Sequence, residues 1–130
     1  MAKKFILVVD DDKDLSDSMK ELLERGGYGV VPAFSVKEAI SKLRLQAFFC
    51  VITDIRLPDK SGEDLIEFIR SSSAPKGAQS TPILVISGFL DKHLAERIKR
   101  QVNGGFTKPF APEALFVKLQ SLAESPSGPA

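Results

Sequence analysis

The chain has 130 residues, 43% hydrophobic and 27% charged, with a formal net charge of +1, the profile of one globular domain able to bury a core without cross-links. So balanced a charge sets up no global field favouring nucleic acid or an acidic membrane surface, so partners must be recognised locally. The single cysteine, Cys50, excludes an internal disulfide framework and reads as a small buried hydrophobe in a reducing compartment; no apolar run has membrane-spanning length, no signal peptide is expected after Met1-Ala2-Lys3-Lys4, and a cytoplasmic location is expected.

Residues 5–9 (FILVV) form a short continuous apolar run ending in Asp10-Asp11-Asp12, which reads as a buried strand with carboxylates at its carboxyl end. Leu15, Met19, Leu22 and Leu23 recur at helical spacing until Gly26-Gly27 stops the pattern. Residues 28–34 are a weaker strand, and Pro32 places it at an edge. Ser35-Val36-Lys37-Glu38 has the pattern of a capping box opening a helix with Ala39, Ile40 and Leu43 inward. The third strand is the apolar run 48–53, and Asp54 sits where it ends, ahead of the turn residues Pro58 to Gly62.

Ser61 is placed to cap a helix whose apolar face is Leu65, Ile66, Phe68 and Ile69. Residues 71–80 (SSSAPKGAQS) are expected to be a mobile polar loop. Residues 82–87 form a fourth strand ending in the hydroxyl of Ser87. A helix over 90–102 then buries Leu94 and Ile98 and turns Lys92, His93, Arg97, Lys99 and Arg100 to solvent, before Asn103-Gly104-Gly105 ends it. His93, the only histidine, reads as an inert surface residue. Residues 106–108 form a short fifth strand, and Pro112 suits the first turn of a last helix with Leu115, Phe116 or Val117, Leu119 and Leu122 inward. The domain is expected to span 1–124, with 125–130 (SPSGPA) as a tail or the start of a linker.

Five strands alternating with five helices imply right-handed crossovers and a doubly wound, flavodoxin-like parallel sheet of order 2-1-3-4-5, a three-layer α/β sandwich. That order sets strands one and three side by side and gathers Asp10, Asp11 and Asp54 in one crevice. Three neighbouring carboxylates repel one another unless a cation or a proton compensates them. An oxygen-only donor set suits Mg²⁺, with Mn²⁺ as a substitute. Ser87 and Lys108, at the ends of strands four and five, add the hydroxyl and the ammonium needed to surround a phosphoryl group.

The chain resembles the receiver domain of two-component response regulators over residues 5–122. The resemblance rests on VVDDD at 8–12, Asp54 in TDIRLPDKSG with Pro58 and Gly62, ISG at 86–88 and KPF at 108–110. It implies that Asp54 accepts a phosphoryl group from the phosphohistidine of a sensor histidine kinase or histidine phosphotransfer protein. Asp11, Asp54 and the backbone carbonyl of Arg56 would hold Mg²⁺, Asp10 would assist through a water, Ser87 would bond the phosphoryl oxygen, and Lys108 would pair with it across a cis Lys108-Pro109 bond. The protein would catalyse only its own phosphorylation and dephosphorylation. Its output would be a shift of helix four, strand five and helix five, a face that is also the expected homodimer surface, with no direct contact to nucleic acid or membrane.

Two departures from the family pattern stand out. Three residues before Lys108, where the family places its switch aromatic, stands Gly105, and Phe106 is the available substitute. The hydrolysis-tuning positions are Arg56 and Phe89, bulky enough to hinder in-line water and slow autodephosphorylation. Two rival readings remain at this point: a haloacid-dehalogenase-like phosphatase built on Asp10 and Asp12, which would need a further acidic pair after Lys108, and a receiver-like dimerisation scaffold. The sequence leaves open whether this is a stand-alone receiver or part of a longer regulator or hybrid kinase, and which kinase serves it.

Overall fold

The computed structural model describes residues 3–88 and 91–124. The elements run β1 (Phe5–Val9), α1 (Lys13–Arg25), β2 (Gly29–Ala33), α2 (Val36–Leu45), β3 (Cys50–Thr53), α3 (Gly62–Arg70), a 3₁₀ turn (Ala78–Ser80), β4 (Ile83–Ser87), α4 (Lys92–Ile98), β5 (Gly104–Thr107) and α5 (Pro112–Glu124). All neighbouring strands pair in parallel, in the order β2-β1-β3-β4-β5. This is the five-stranded doubly wound sandwich the alternation predicts.

The near-continuous apolar runs exist because the central strands are covered on both faces. Leu7, Val9, Val51, Ile83 and Val85 face α2, α3 and α4, packing on Ala39, Leu43, Leu65, Ile66, Ile69, Leu94 and Ile98. The alternate residues Ile6, Val8, Cys50, Ile52, Leu84 and Ile86 face α1 and α5, against Met19, Leu23, Leu115, Leu119 and Leu122. Each fully buried aliphatic side chain contributes roughly 1.5–3 kcal/mol relative to exposure. Cys50 is buried and unpaired, and burial pushes its thiol far above the ordinary range. Pro32 lies in edge strand β2, which pairs only with β1, so its missing N–H leaves no gap in the sheet.

Several boundaries differ from the sequence expectation. The strand within 48–53 starts only at Cys50, although Phe48 is already buried. Helix α4 occupies Lys92–Ile98 rather than the longer stretch, of which Leu90 lies outside the described residues. Gly104 and Gly105 belong to β5 instead of ending a helix, because Asn103 joins the sheet first: its N–H donates to Ile83 O (2.7 Å) and its Oδ1 accepts from Ile83 N (3.0 Å).

The 71–80 segment, expected to be mobile, is fastened. Ala74 is buried, Gln79 donates to the carbonyls of Ser71 and Ala74, and the half-buried Arg70 donates to the carbonyls of Gln79, Thr81 and Gln101. In α5 the choice falls on Phe116, which packs on the α1 side, while Val117 is exposed. The tail 125–130 lies outside the described residues, and no helix among those described is long and apolar enough to cross a membrane.

Candidate functional site

The last β1–β3 pair is Val9 with Thr53, so the next residue of each strand, Asp10 and Asp54, emerges at the same edge. The backbone continues the ladder one step further: Asp10 N–H donates to Ala33 O (3.0 Å) and Asp54 N–H to Val9 O (2.9 Å). Both acids are therefore aimed by the sheet itself, and both are buried, at 6% and 8% exposure. Asp11 stands beside them in solvent, and the three carboxylates bring oxygens within 4.8 Å of one another.

Lys108 reaches into this cluster from the end of β5. Its Nζ donates to Asp10 Oδ2 at 2.9 Å and to Asp54 Oδ2 at 2.7 Å. The lysine is fixed by its own backbone, whose N–H bonds Ser87 O (2.8 Å), and is followed by a cis peptide to Pro109. Burial raises the Asp10 carboxyl above its ordinary value and outweighs the Asp12 N–H and Lys108, which act the other way. Burial alone would lower Lys108, but its bonds to Asp54 and Asp10 outweigh it and hold the ammonium above its usual range. The cluster is thus short of positive charge. Oxygen-only donors, one of them open to solvent, fit a hard divalent cation.

The other oxygen of Asp54 is oriented by the loop that follows. Its Oδ1 accepts the N–H of Ile55 (2.6 Å) and of Arg56 (3.3 Å). The loop closes on itself through an Arg56–Ser61 bridge and a bond from Gly62 N–H to Ile55 O (2.7 Å). Gly62 is required here by close approach: a Cβ would collide with the Asp54 carbonyl oxygen and stand 2.9 Å from Ile55 Cα. Ser61 Oγ accepts from Glu63 N while Asp64 accepts from Ser61 N, so the complete capping box is on α3. At Ser35 only the hydroxyl half of the expected box is seen, accepting from Glu38 N.

Ser87 ends β4, buried at 3% exposure and level with Thr107. Arg56 is exposed on the loop just after Asp54, whereas Phe89 lies outside the described residues. Phe106 requires a correction. It pairs in register with Ile86 and packs with Phe110 (ring centroids 5.9 Å apart) in the α1–α5 cluster. Strand alternation therefore gives the α4 side of β5 to Gly105 and Thr107, so Phe106, partly buried against the α1–α5 cluster, lies on the opposite face of the sheet from Ser87. The basic surface of α4 is also weaker than its composition: Arg97 is spent on Glu63 of α3 (3.1 and 2.9 Å) and Lys99 on Glu96. Asp12, the second acid of the phosphatase reading, is the N-cap of α1.

Sequence reasoning missed Asp59. Its two oxygens accept the N–H groups of Val36 and Lys37, each at 2.9 Å, at the start of α2. An Asp after Pro58 signals a turn, and nothing local announces a partner 23 residues away.

The model of the response regulator receiver domain family matches residues 6–120. The chain is 31% identical over 120 residues to the transcriptional regulatory protein FixJ of Bradyrhizobium diazoefficiens, covering 92% of this chain and 56% of that one. It is 36% identical over 118 residues to chemotaxis protein CheY1 of Helicobacter pylori, covering 88% and 93%. It is also 33% identical to hybrid signal transduction histidine kinase D of Dictyostelium discoideum, over 92% of this chain but 8% of that one. The chain thus spans about half the length of FixJ, nearly all of CheY1 and a small part of the hybrid kinase. Among solved structures it resembles chemotaxis protein CheY4 of Vibrio cholerae (TM-score 0.82, 28% identity, covering 92% and 98%) and a CheY-like receiver domain protein of Methanospirillum hungatei (TM-score 0.86, 27%, covering 95% and 96%). A sheet that delivers two acids to one edge, a lysine bridging them, and a family match over nearly the whole chain lead to one conclusion: the chain belongs to the response regulator receiver domain family of two-component signalling.

Proposed function

We propose that Asp54 is the phosphoacceptor of a cytoplasmic signalling switch, taking its phosphoryl group from a phosphohistidine on a sensor histidine kinase or histidine phosphotransfer protein. The observation that carries this reading is Lys108 clasping both Asp10 and Asp54 inside the acidic cluster. Asp54 is held at both oxygens, Oδ1 by two backbone N–H groups and Oδ2 by Lys108, so its direction of attack is set before the donor arrives. A carboxylate oxygen of Asp54 forms the new P–O bond while the P–N bond to the imidazole breaks and its electron pair stays on nitrogen. The Lys108 ammonium and the Ser87 hydroxyl are the donors for the phosphoryl oxygens.

Asp11, Asp54 and the Arg56 carbonyl, with help from Asp10, would hold Mg²⁺ or Mn²⁺ in its place, which would supply positive charge beside the transferring group. An apolar trough of Leu15, Met19, Leu22, Pro109 and Phe110 opens beside Lys108, the surface a protein donor would cover while its imidazole reaches the site. Water attacking the aspartyl phosphate returns the carboxylate and releases phosphate. Arg56, and Phe89 by its sequence position, would crowd that approach, so slow autodephosphorylation is the expectation and a lifetime of only seconds would refute it. The output is a change in the α4, β5 and α5 face, where a second receiver can dock.

The experiment is to incubate the protein with Mg²⁺ and acetyl phosphate and to locate the label by intact-mass and peptide mass spectrometry. One phosphoryl group on Asp54, absent from Asp54→Asn and from protein in EDTA, is the expected result. A label on Asp10, or none on any residue, overturns the assignment.

A further inference from the structure

We infer that Asp59 is a positioning residue for the phosphoacceptor: it ties the loop that orients Asp54 to the first turn of α2. This rests on the assignment of Asp54 above. The loop has two fastenings at its base, the Arg56–Ser61 bridge and the Gly62–Ile55 bond, and its tip is held by Asp59, whose two oxygens take the Val36 and Lys37 N–H groups at 2.9 Å each. Those donors belong to the first turn of α2, where unpaired N–H groups and the helix dipole favour a carboxylate. Lys37 and Val36 together hold the Asp59 carboxyl below the usual carboxylate range, so it is ionised at neutral pH.

Ser35 already caps α2 by accepting from Glu38 N (3.1 Å), and Asp59 is a second cap on the Val36 and Lys37 N–H groups. What Asp59 adds is a link across 23 residues between a helix packed on the core and the loop whose Ile55 and Arg56 N–H groups grip Asp54 Oδ1. Pro58 stiffens the approach by fixing its own φ and restricting Leu57. Cutting the link leaves the grip on Asp54 attached to a loop still packed on the core through Leu57 but without its polar tether at the tip, and a reacting carboxylate that samples more orientations reacts more slowly.

The comparison of Asp59→Ala with Ser35→Ala separates positioning from simple capping. Each removes one cap of α2, so both should lower the melting temperature, but only Asp59→Ala frees the loop. At saturating Mg²⁺ and fixed acetyl phosphate, the labelling rate of Asp59→Ala should fall roughly fivefold while that of Ser35→Ala stays at the wild-type value. Asp59→Asn, which keeps the shape and one good acceptor, should fall between them and serves if the alanine variant does not fold.

Amide hydrogen exchange supplies a readout that needs no phosphorylation. The Ile55, Arg56 and Gly62 amides should exchange faster in Asp59→Ala and unchanged in Ser35→Ala. Equal labelling rates in the two variants, or unaltered exchange of those amides, would reduce Asp59 to a helix cap and overturn the inference. Absence of labelling in the wild-type protein would instead sink the phosphoacceptor assignment, with exchange still deciding whether the tether exists.

Discussion

Replacing Lys108 by alanine removes the ammonium that touches both Asp10 and Asp54. Three carboxylates with oxygens within 4.8 Å of one another are then left to repel. Breaking a buried ion pair by deleting one partner costs about 3–5 kcal/mol. Here the lysine side chain keeps 23% of its exposure, and Asp10, whose carboxyl burial already raises, relieves the repulsion by taking up a proton. A loss of about 2 kcal/mol is therefore expected in EDTA, or roughly 6–10 °C in Tm for a chain of this size.

Magnesium should reverse most of that loss. Deleting a fixed positive charge makes the site more attractive to a divalent ion, and an ion at a hundred times its Kd returns about 2.7 kcal/mol. Thermal unfolding followed by circular dichroism, in EDTA and in graded MgCl₂, should show a larger Mg²⁺-dependent rise for Lys108→Ala than for wild type. Combining it with Asp10→Asn should recover part of the loss in EDTA, because the two sites are directly coupled. An unchanged Tm for Lys108→Ala in EDTA, or equal Mg²⁺ shifts for both proteins, would show that the lysine is not the counter-charge of the cluster.

Gly62→Ala forces a methyl group against the Asp54 carbonyl oxygen and Ile55 Cα; backbone cannot give way as a side chain tip does, so a loss of roughly 1–3 kcal/mol in urea unfolding is expected together with slower labelling of Asp54. A wild-type urea midpoint would mean that the loop yields freely. Arg97 holds the Glu63 carboxyl below its ordinary 4.5. A depressed folded-state value gives stability that is present above the unfolded value and disappears as pH falls through the folded one. Arg97→Ala should therefore melt below wild type at neutral pH, with the two converging in acid and in high salt; a gap constant across pH would assign the effect to packing of the arginine stem.

The sheet order was legible because the same residues that make strands also announce two-sided burial: FILVV, CVIT and ILVIS leave no polar face, which only a covered parallel sheet accepts. From order alone, Asp10 and Asp54 had to be neighbours, and Lys108 had to reach the same edge, since each directly follows a strand of the sheet. The boundaries that failed lie where side-chain hydrogen bonds decide. Asn103 carries β5 upstream into two glycines that propensity assigns to a turn, and Arg70 with Gln79 orders a polar segment whose composition reads as loose.

The same distinction separates what could and could not be read in the site. A residue at the end of a strand inherits its place from the sheet, so the positions of the acids, Ser87 and Lys108 at one edge could be read from periodicity and topology. Which side of the sheet a side chain faces depends on a one-residue register, and here it turns on where β5 begins. With Gly104 level with Leu84 and Phe106 level with Ile86, the aromatic packs, partly buried, against the α1–α5 cluster, and Gly105 occupies the strand position turned toward α4. A signal passing from Ser87 to α4 would then use routes such as backbone shifts of β4 and β5, Thr107 level with Ser87, or α4's own ties, among them the Arg97–Glu63 pair to α3. Burial of a rotating ring from Phe106 is not available to it.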